Sequence, residues 1–513
     1  MNGFADAKIT SSVANLERDL SAVKVIYTVV EGPQYLIKDI EAVSEVSGIG
    51  NDIIAEAVDI ESGDVFNKKK LAEVLKRIEN LGISKGIPFV KANANLIKNP
   101  DESNVIIKIT LASGQKLFVE RIDIRGNQQT LDRVIRREFS LEEGDYFNPL
   151  KLRKTEEKLR ALGFFESVNL SVKQGSSPRK AVIIANVEET STGSLNFGVG
   201  YSTDTNFTGS LSLSEKNFLG KGQRLNLQLL TSSNANSLSF GFKEPAFLNR
   251  NLSAGINLDF VTQDPTESTY TANSISASPS VGFQLAPDTR VTVAYKIEST
   301  EINAENSPSL VLRNDNGRYL NSSLSARFIF DQRNSIIEPT DGYIFRVNST
   351  ISGVGGDVGY LKNSFKSKFY KGVFNDSIIL SAELEAGLLD MLKGYSRITD
   401  RFKLGGRNLR GFQFGEVGPR DLSGDSLGGD KYFITRLETN FPLGLPEELG
   451  LYGGVFSEFG SLWSLQTEES VADSVQNSEF YLRSSLGFSL YWSTPIGPLQ
   501  FNWSKPQRYL ENS

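Results

Sequence analysis

Neither cysteine nor histidine occurs in the 513 residues. Without cysteine there is no disulfide and no thiolate metal site. Without histidine, the commonest general acid–base and the commonest metal ligand are lost together, which excludes a hydrolase built on Ser-His-Asp. Metal and cofactor sites are therefore not expected. No apolar run approaches the roughly 18 to 20 residues of a membrane helix, so any meeting with a bilayer is through strands or at the surface. A Gly-x-x-x-x-Gly-Lys phosphate loop is also missing, so work has to come from strand pairing and burial of apolar surface. The net charge of −6 carries no nucleic-acid signature. The opening Met-Asn-Gly-Phe-Ala-Asp-Ala-Lys lacks the basic start and apolar middle of a secretory signal, which fits a cytosolic chain or one whose true beginning is elsewhere.

What is present begins with a repeat of period near 80. Gly63-Asp64-Val65-Phe66-Asn67 returns as Gly144-Asp145-Tyr146-Phe147-Asn148, each followed by a charged amphipathic helix. Leu71, Val74, Leu75 and Ile78 mark the apolar face of the first helix, and Leu152, Leu159 and Leu162 that of the second. Leu81-Gly82 and Leu162-Gly163 suit helix C-termini. Strands Tyr35 to Ile40 and Phe118 to Ile124 open the two units, and Val105 to Leu111 and Ala181 to Val187 close them. Each unit reads β-α-α-β-β, a small sheet covered by two helices. Residues 1–33 match only the back half of such a unit, with Asn2-Gly3-Phe4 aligned to Leu162-Gly163-Phe164. The expected domains are a partial module at 1–33, modules at 34–113 and 114–190, and a different body at 191–513.

That second body has its own texture. The first 190 residues carry 27 lysines and arginines and 28 acids, the remaining 323 only 28 and 33, while helix signals give way to period-2 alternation. Leu252, Ala254, Ile256, Leu258 and Phe260 alternate with Ser253, Gly255, Asn257 and Asp259; Ile378, Leu380, Ala382 and Leu384 alternate with Ser381, Glu383 and Glu385. A soluble sandwich with charged outer faces fits this, and so does a membrane barrel with a wet lumen. Loop lengths separate the two. Short turns at Ala286 to Thr289, Pro442 to Glu448 and Ser493 to Gly497 alternate with long polar loops at Thr300 to Arg318, Met391 to Gly428 and Leu462 to Ser478, the habit of outer-membrane barrels. About fifteen strands are countable, Leu499 to Ser504 being the last and Pro506 to Ser513 a loop. Closure favours an even number, so a sixteenth strand is expected beyond Ser513, with the chain truncated at both ends.

Leu404 to Asp421 stands apart: rich in glycine yet carrying Phe412 and Phe414. A plain surface loop and a plug folded into the lumen are both open from composition; the position between two long alternating strands favours the plug, spanning 392–428.

Several strings, in this order and spacing, resemble the BamA family of outer-membrane protein assembly factors. They are Arg121-Ile122-Asp123-Ile124-Arg125-Gly126-Asn127 with Val134-Ile135-Arg136-Arg137-Glu138, then Leu162-Gly163-Phe164-Phe165-Glu166-Ser167-Val168, then Gly193 to Tyr201. Asn217-Phe218-Leu219-Gly220-Lys221-Gly222 and Leu409-Arg410-Gly411-Phe412, trailed by Gly418-Pro419, complete the set. The resemblance covers nearly the whole chain. It implies periplasmic POTRA modules followed by an antiparallel transmembrane barrel of the outer membrane, which is not an enzyme and needs no cofactor. It further implies that unfolded β-barrel clients are inserted through a weakly paired lateral seam, here Gly193, Leu195, Phe197, Gly198, Val199 and Gly200, whose glycines thin the first strand. The family's loop arginine meets a Phe-x-Asp-x-Gly wall segment, which implies a latch of Arg410, Gly411 and Phe412 on Phe456 and Glu458, with Glu in place of Asp. Partners implied are unfolded clients, lipid and lipoprotein subunits, the last at Arg133, Arg136 and Arg137; a solvated helix face is the alternative for that basic run. Module edges such as Val105 to Leu111 offer strand addition. The translocation and assembly factor TamA and two-partner secretion porins share the architecture and remain alternatives; a passive diffusion porin needs no repeats.

Overall fold

The computed structural model describes residues 4, 6, 8–16, 23–85, 87, 90–113, 117–202, 206–494 and 497–508. The Asn2-Gly3 alignment, the tip of the turn at 495–496 and residues 509–513 lie outside them. Two compact units are present, Met1–Thr190 and Ser191–Ser513.

In the first unit, β1 (Lys8–Leu16) and β2 (Val23–Val30) form an antiparallel pair of their own. Then β3 (Leu36–Ser44), α1 (Asn51–Glu56), α2 (Lys68–Ser84), β4 (Val90–Asn99) and β5 (Asn104–Ser113) build one module. A second follows from β6 (Phe118–Arg125), α3 (Asp132–Arg136), α4 (Pro149–Leu162), β7 (Phe165–Gln174) and β8 (Lys180–Glu189). The repeated Gly-Asp-x-Phe-Asn string has a local cause. Its asparagine caps the helix that follows, Asn67 Oδ1 accepting from the Lys69 and Lys70 amides at 2.9 and 3.2 Å and Asn148 Oδ1 from the Leu150 and Lys151 amides at 2.9 and 3.3 Å. Gly163, with φ at 68°, ends α4 in the left-handed conformation. Gly82 does not end α2, which continues to Ser84; a Cβ there would sit 2.5 Å from the Val90 side chain, so this glycine serves helix–strand packing.

Both sheets have the closing strand in the middle, in the orders β3-β5-β4 and β6-β8-β7. Val105 to Leu111 is thus the central strand, paired on both sides, and not an exposed edge; the edges are β3 and β4, and β6 and β7. Ile54, Val74, Ile78, Ile107 and Leu111 fill the first core, Val134, Ile135, Leu159, Val168 and Ile183 the second. Each such side chain contributes roughly 1.5–3 kcal/mol on burial.

The second unit is one 15-stranded antiparallel sheet. Its strands are β9 (Gly193–Ser202), β10 (Asn206–Phe218), β11 (Gln223–Thr231), β12 (Ala235–Glu244), β13 (Leu252–Gln263), β14 (Thr271–Ala286), β15 (Thr289–Asn303) and β16 (Gly317–Asp331). Next come β17 (Asp341–Gly356), β18 (Gly359–Val373) and β19 (Ile378–Lys393); β20 (Arg420–Asp421) is a fragment inside a loop. Then β21 (Lys431–Pro442), β22 (Leu451–Trp463), a loop fragment β23 (Val475–Gln476), β24 (Arg483–Thr494) and β25 (Gly497–Arg508). A short helix α5 (Leu310–Asn314) lies between β15 and β16. The strand expected to stop at Ser504 runs on through Pro506 to Arg508; of the long loops the first is shorter than the sequence implied, at 304–316, and the other two are displaced by a few residues, to 394–430 and 464–482.

Burial in this sheet is inside out. Leu380 and Leu384 of β19 are 42% and 41% exposed, whereas Glu383 between them is 8%. Leu486 and Phe488 of β24 are exposed while Arg483, Ser485 and Ser489 are buried. Water would not leave whole strand faces of Leu and Phe bare, but lipid does. All three long connections fall at the same end of the strands, and neighbours in the sheet are neighbours in sequence, the up-and-down order of a membrane barrel.

Candidate functional site: a loop clasped to the inner wall

The connection from β19 to β21, residues 394–430, is folded on itself by bridges Phe402 to Gly429, Leu404 to Val417 and Arg420 to Ser426. Leu404, Leu409, Phe412 and Val417 pack against Ile434 of β21 and Leu462 of β22 as a small apolar cluster. The loop also meets Tyr270 beside β14 through Lys403, β18 through Phe402 and the Asp400 carbonyl, β24 through Gly411 and β25 through Arg410, so the sheet curls around it. The loop, called the plug, packs on the face of the sheet opposite the exposed leucines and phenylalanines.

At its tip Arg410 makes five contacts with four side chains of the wall. Its Nε donates to Glu458 Oε1 at 2.6 Å and its backbone N–H to Glu458 Oε2 at 2.6 Å. Nη2 lies 3.4 Å from Glu438 and Nη1 3.5 Å from Asn502 of β25, and the guanidinium carbon stands 3.4 Å from the centre of the Phe456 ring. Glu458 is fully buried, so its charge depends on these partners. Gly411 follows with φ at 98°, and a Cβ would come within 3.1 Å of Ser485, so the turn that presents Arg410 needs glycine. Phe412 is 3% exposed within the apolar cluster. Five residues singled out from the sequence thus meet at one place.

Sequence reading missed the rest of the wall. Arg436 Nη1 binds both Glu383 and Glu385, the latter at 2.6 Å, and its Nε stands 3.8 Å from Glu458. Its Nη2 donates to the backbone carbonyl of Asn408, two residues before Arg410. Lys366 adds ion pairs to Glu383 at 3.0 Å and Glu385 at 2.7 Å. Glu438 in turn accepts from the Tyr491 hydroxyl. These groups are cross-strand neighbours, Lys366 opposite Glu385, Glu383 opposite Arg436, and Arg436 opposite Glu458. The signal in the sequence is the two-residue spacing of Lys366 and Lys368, Glu383 and Glu385, and Arg436 and Glu438, but which strand faces which is not written there.

The base of the plug is tied to the other long loops. Arg401 and Asp315, both buried, are 3.4 Å apart, and Asp315 also accepts from the Ile398 amide at 2.8 Å. Asp425 accepts from the Thr269 amide and hydroxyl, and Lys403 donates to Tyr270 at 2.8 Å. Burial pushes the Asp315 carboxyl up to about 6 against the opposing pull of Arg401, and lowers the Lys403 ammonium to about 8.

The edges of the sheet are β9 and β25; among the described residues each pairs on one side only, with β10 and β24. On β9, Leu195, Phe197 and Val199 are 55%, 75% and 82% exposed, and Gly193, Gly198 and Gly200 alternate with bulkier residues. The Arg407 guanidinium of the plug lies 3.5 Å from where a Cβ on Gly200 would be. In the α3 region Arg136 is engaged by Asp132, Glu143 and the Ile122 carbonyl, and Arg137 by Glu138. Arg133 is exposed and makes no ion pair among the described residues.

Fold and site define a class: small β-α-α-β-β modules followed by a transmembrane β-barrel plugged by a clasped loop. The pattern of the Omp85 superfamily domain matches residues 217–512, and that of a POTRA domain, described as a surface antigen variable number repeat, matches 117–190. The chain belongs to the Omp85 superfamily. It is 29% identical over 492 residues to the outer membrane protein assembly factor BamA of Neorickettsia risticii, covering 94% of this chain and 65% of that one. It is 25% identical to BamA of Nitratidesulfovibrio vulgaris, covering 98% and 63%, and so spans a little under two thirds of both relatives. The sorting and assembly machinery component 50 homolog of Mus musculus is 30% identical over 370 residues, 68% of this chain and 76% of that one. In fold, the crystal structure of BamA from Haemophilus ducreyi lacking POTRA domains 1–3 superposes with a TM-score of 0.75 at 21% identity, covering 93% and 97%. The chain is an outer-membrane barrel protein with periplasmic POTRA modules.

Proposed function

We propose that this chain is the central subunit of an outer-membrane β-barrel assembly machine, which folds and inserts client barrels by templating their strands on a weak lateral seam along β9. The observation that carries the reading is the glycine-thinned first strand β9, which among the described residues pairs on one side only, in a barrel whose wall clasps a long loop. A plugged lumen argues against passive diffusion, and an unpaired strand edge offers backbone donors and acceptors to any client strand, whatever its side chains. Exposed Phe197 and Val199 give such a strand an apolar neighbour on the lipid side. The domain boundaries follow the same reading: a partial module at 1–33, POTRA modules at 34–113 and 114–190, and the barrel from 191. Arg133 is the cation of α3 that has no ion pair to give up on meeting an acidic lipoprotein surface. The relatives named above are assembly factors, and chemistry by side chains has no part in this reading.

The test is depletion of the chain in its own cell, with recovery by a version carrying one cysteine on β9 and another on the strand that meets the free edge of β9 when the barrel closes. Depletion lowers the yield of many unrelated outer-membrane barrels; the cysteine version restores it only when a reductant opens the seam. Loss of a single secreted substrate with normal barrel yields would instead favour a two-partner secretion porin or a TamA-like factor.

A further inference from the structure

Arg483, the first residue of β24, is the largest of the fully buried side chains, at 1% exposure, and its Nε and Nη2 have no hydrogen-bond partner. These two nitrogens lie on the same edge of the guanidinium, the edge that grips a pair of oxygens side-on. Two more buried donors are unpartnered among the described residues: the Ser485 hydroxyl, two residues along on the same face of β24, and Nε of Arg420 in the plug, whose charge acts on Arg483. Arg420 is otherwise held by its Nη atoms on the Gly424 and Gly415 carbonyls at 2.7 and 3.5 Å. Arg508 adds a third cation, its guanidinium 5.2 Å from the Tyr481 ring that Arg483 approaches at 5.4 Å. Glu416 acts on Arg483 from beyond ion-pair distance and accepts from the Gln413 amide, and Glu458, across from Ser485, has both its oxygens taken by Arg410. A buried guanidinium with its fork unpaired is costly, and an excess of positive charge around it selects for an anion.

We propose that Arg483, Ser485 and Arg420 form a lumenal subsite for a tetrahedral oxyanion of the phosphate or sulfate class. The side-on edge of Arg483 takes two of its oxygens, and the Ser485 hydroxyl and Arg420 Nε approach from other directions, a set that a planar carboxylate does not match as well. Because Arg483 and Ser485 belong to the wall and Arg420 to the plug, the anion joins the two. Ser485 stands opposite Glu458 on the neighbouring strand, so this tie lies beside the Arg410 clasp and is independent of it in chemistry.

The experiment uses the folded chain in detergent, in chloride at constant ionic strength, titrated with inorganic phosphate or sulfate while the unfolding midpoint is read by tryptophan fluorescence. The midpoint is expected to rise by about 2 °C or more and to saturate in the millimolar range, unlike the unsaturable effect of excluded salts. Arg483→Gln and Ser485→Ala should each lose the saturable part, and the second keeps the test alive where the first fails to fold. Selenate soaked into crystals should give anomalous signal about 3 Å from Nε and Nη2. A parallel arm in chloride, with phosphatidylglycerol added to the micelle, separates the sources: a rise there assigns the oxyanion to a lipid headgroup, and no rise assigns it to a free ion. The proposal is overturned by an unsaturable response in the parent, by the same saturable response in both variants, or by Glu416 or water occupying the Arg483 edge in selenate.

Discussion

One residue occupies both oxygens of the Glu458 carboxylate: Arg410 gives its side-chain Nε–H to Oε1 and its backbone N–H to Oε2, each at 2.6 Å. The first bond fixes the side chain and the second fixes the loop. Arg410→Ala should leave a fully buried carboxylate short of its main partner and destabilise the plugged state by about 3–5 kcal/mol. Replacing both residues by methionine should cost clearly less than Arg410→Ala alone. Protease cleavage within 394–430 and the unfolding midpoint check both statements.

Arg436 should behave as a second clasp residue. Arg436→Gln removes the cation shared by Glu383, Glu385 and Glu458 and the donor to the Asn408 carbonyl. Because Lys366 still faces both of the β19 acids, the loss should be smaller than for Arg410→Ala. Arg436→Lys should recover charge but not the contact with the loop carbonyl, so spin labels on the loop tip should report increased motion in both variants.

Alanine at Gly411 and at Gly394 separates space from backbone conformation. Both have positive φ, 98° and 71°, but a Cβ at 411 meets Ser485 at 3.1 Å and one at 394 meets nothing within 4 Å. Gly394→Ala should cost about 1–2 kcal/mol for the left-handed backbone alone. Gly411→Ala should cost more and also disturb the Arg410 contact, visible as faster cleavage of the plug.

Asp315 gives the plug a pH dependence of known sign. Its folded pKa of about 6 lies above the ordinary carboxyl value of 3.8, so between these pH values the folded state holds more protons than the unfolded one. The stabilisation from this group is complete below about pH 4 and is lost as pH rises through 6. Protease resistance of the loops at 304–316 and 394–430 should therefore increase from pH 7 to pH 5. Asp315→Asn should flatten that trend.

The two-residue alternation from Leu252 onward was enough to mark strands with one oily and one wet face, because a strand's side chains alternate whatever it pairs with. The repeated Gly-Asp-x-Phe-Asn strings likewise announced the module helices, since an asparagine cap acts on amides two and three residues away. The string around Arg410 and the Phe456 to Gly460 segment were legible as a pair only through resemblance. Strand order within the modules was not legible: Val105 to Leu111 read as an edge and lies in the centre, because which strands share hydrogen bonds depends on how the chain crosses over, not on local composition. Gly82 read as a helix end and proved to be a packing position, a fact that exists only once Val90 is laid against it. The charged wall of Lys366, Glu383, Glu385, Arg436 and Glu458 required the register of neighbouring strands, and the unpaired edge of Arg483 required knowing that among the described residues no acid comes within ion-pair distance of it. Local periodicity and capping are short-range properties that the amino-acid order determines directly; pairing, register and the partners of buried charge are long-range, and here only the tertiary structure decided them.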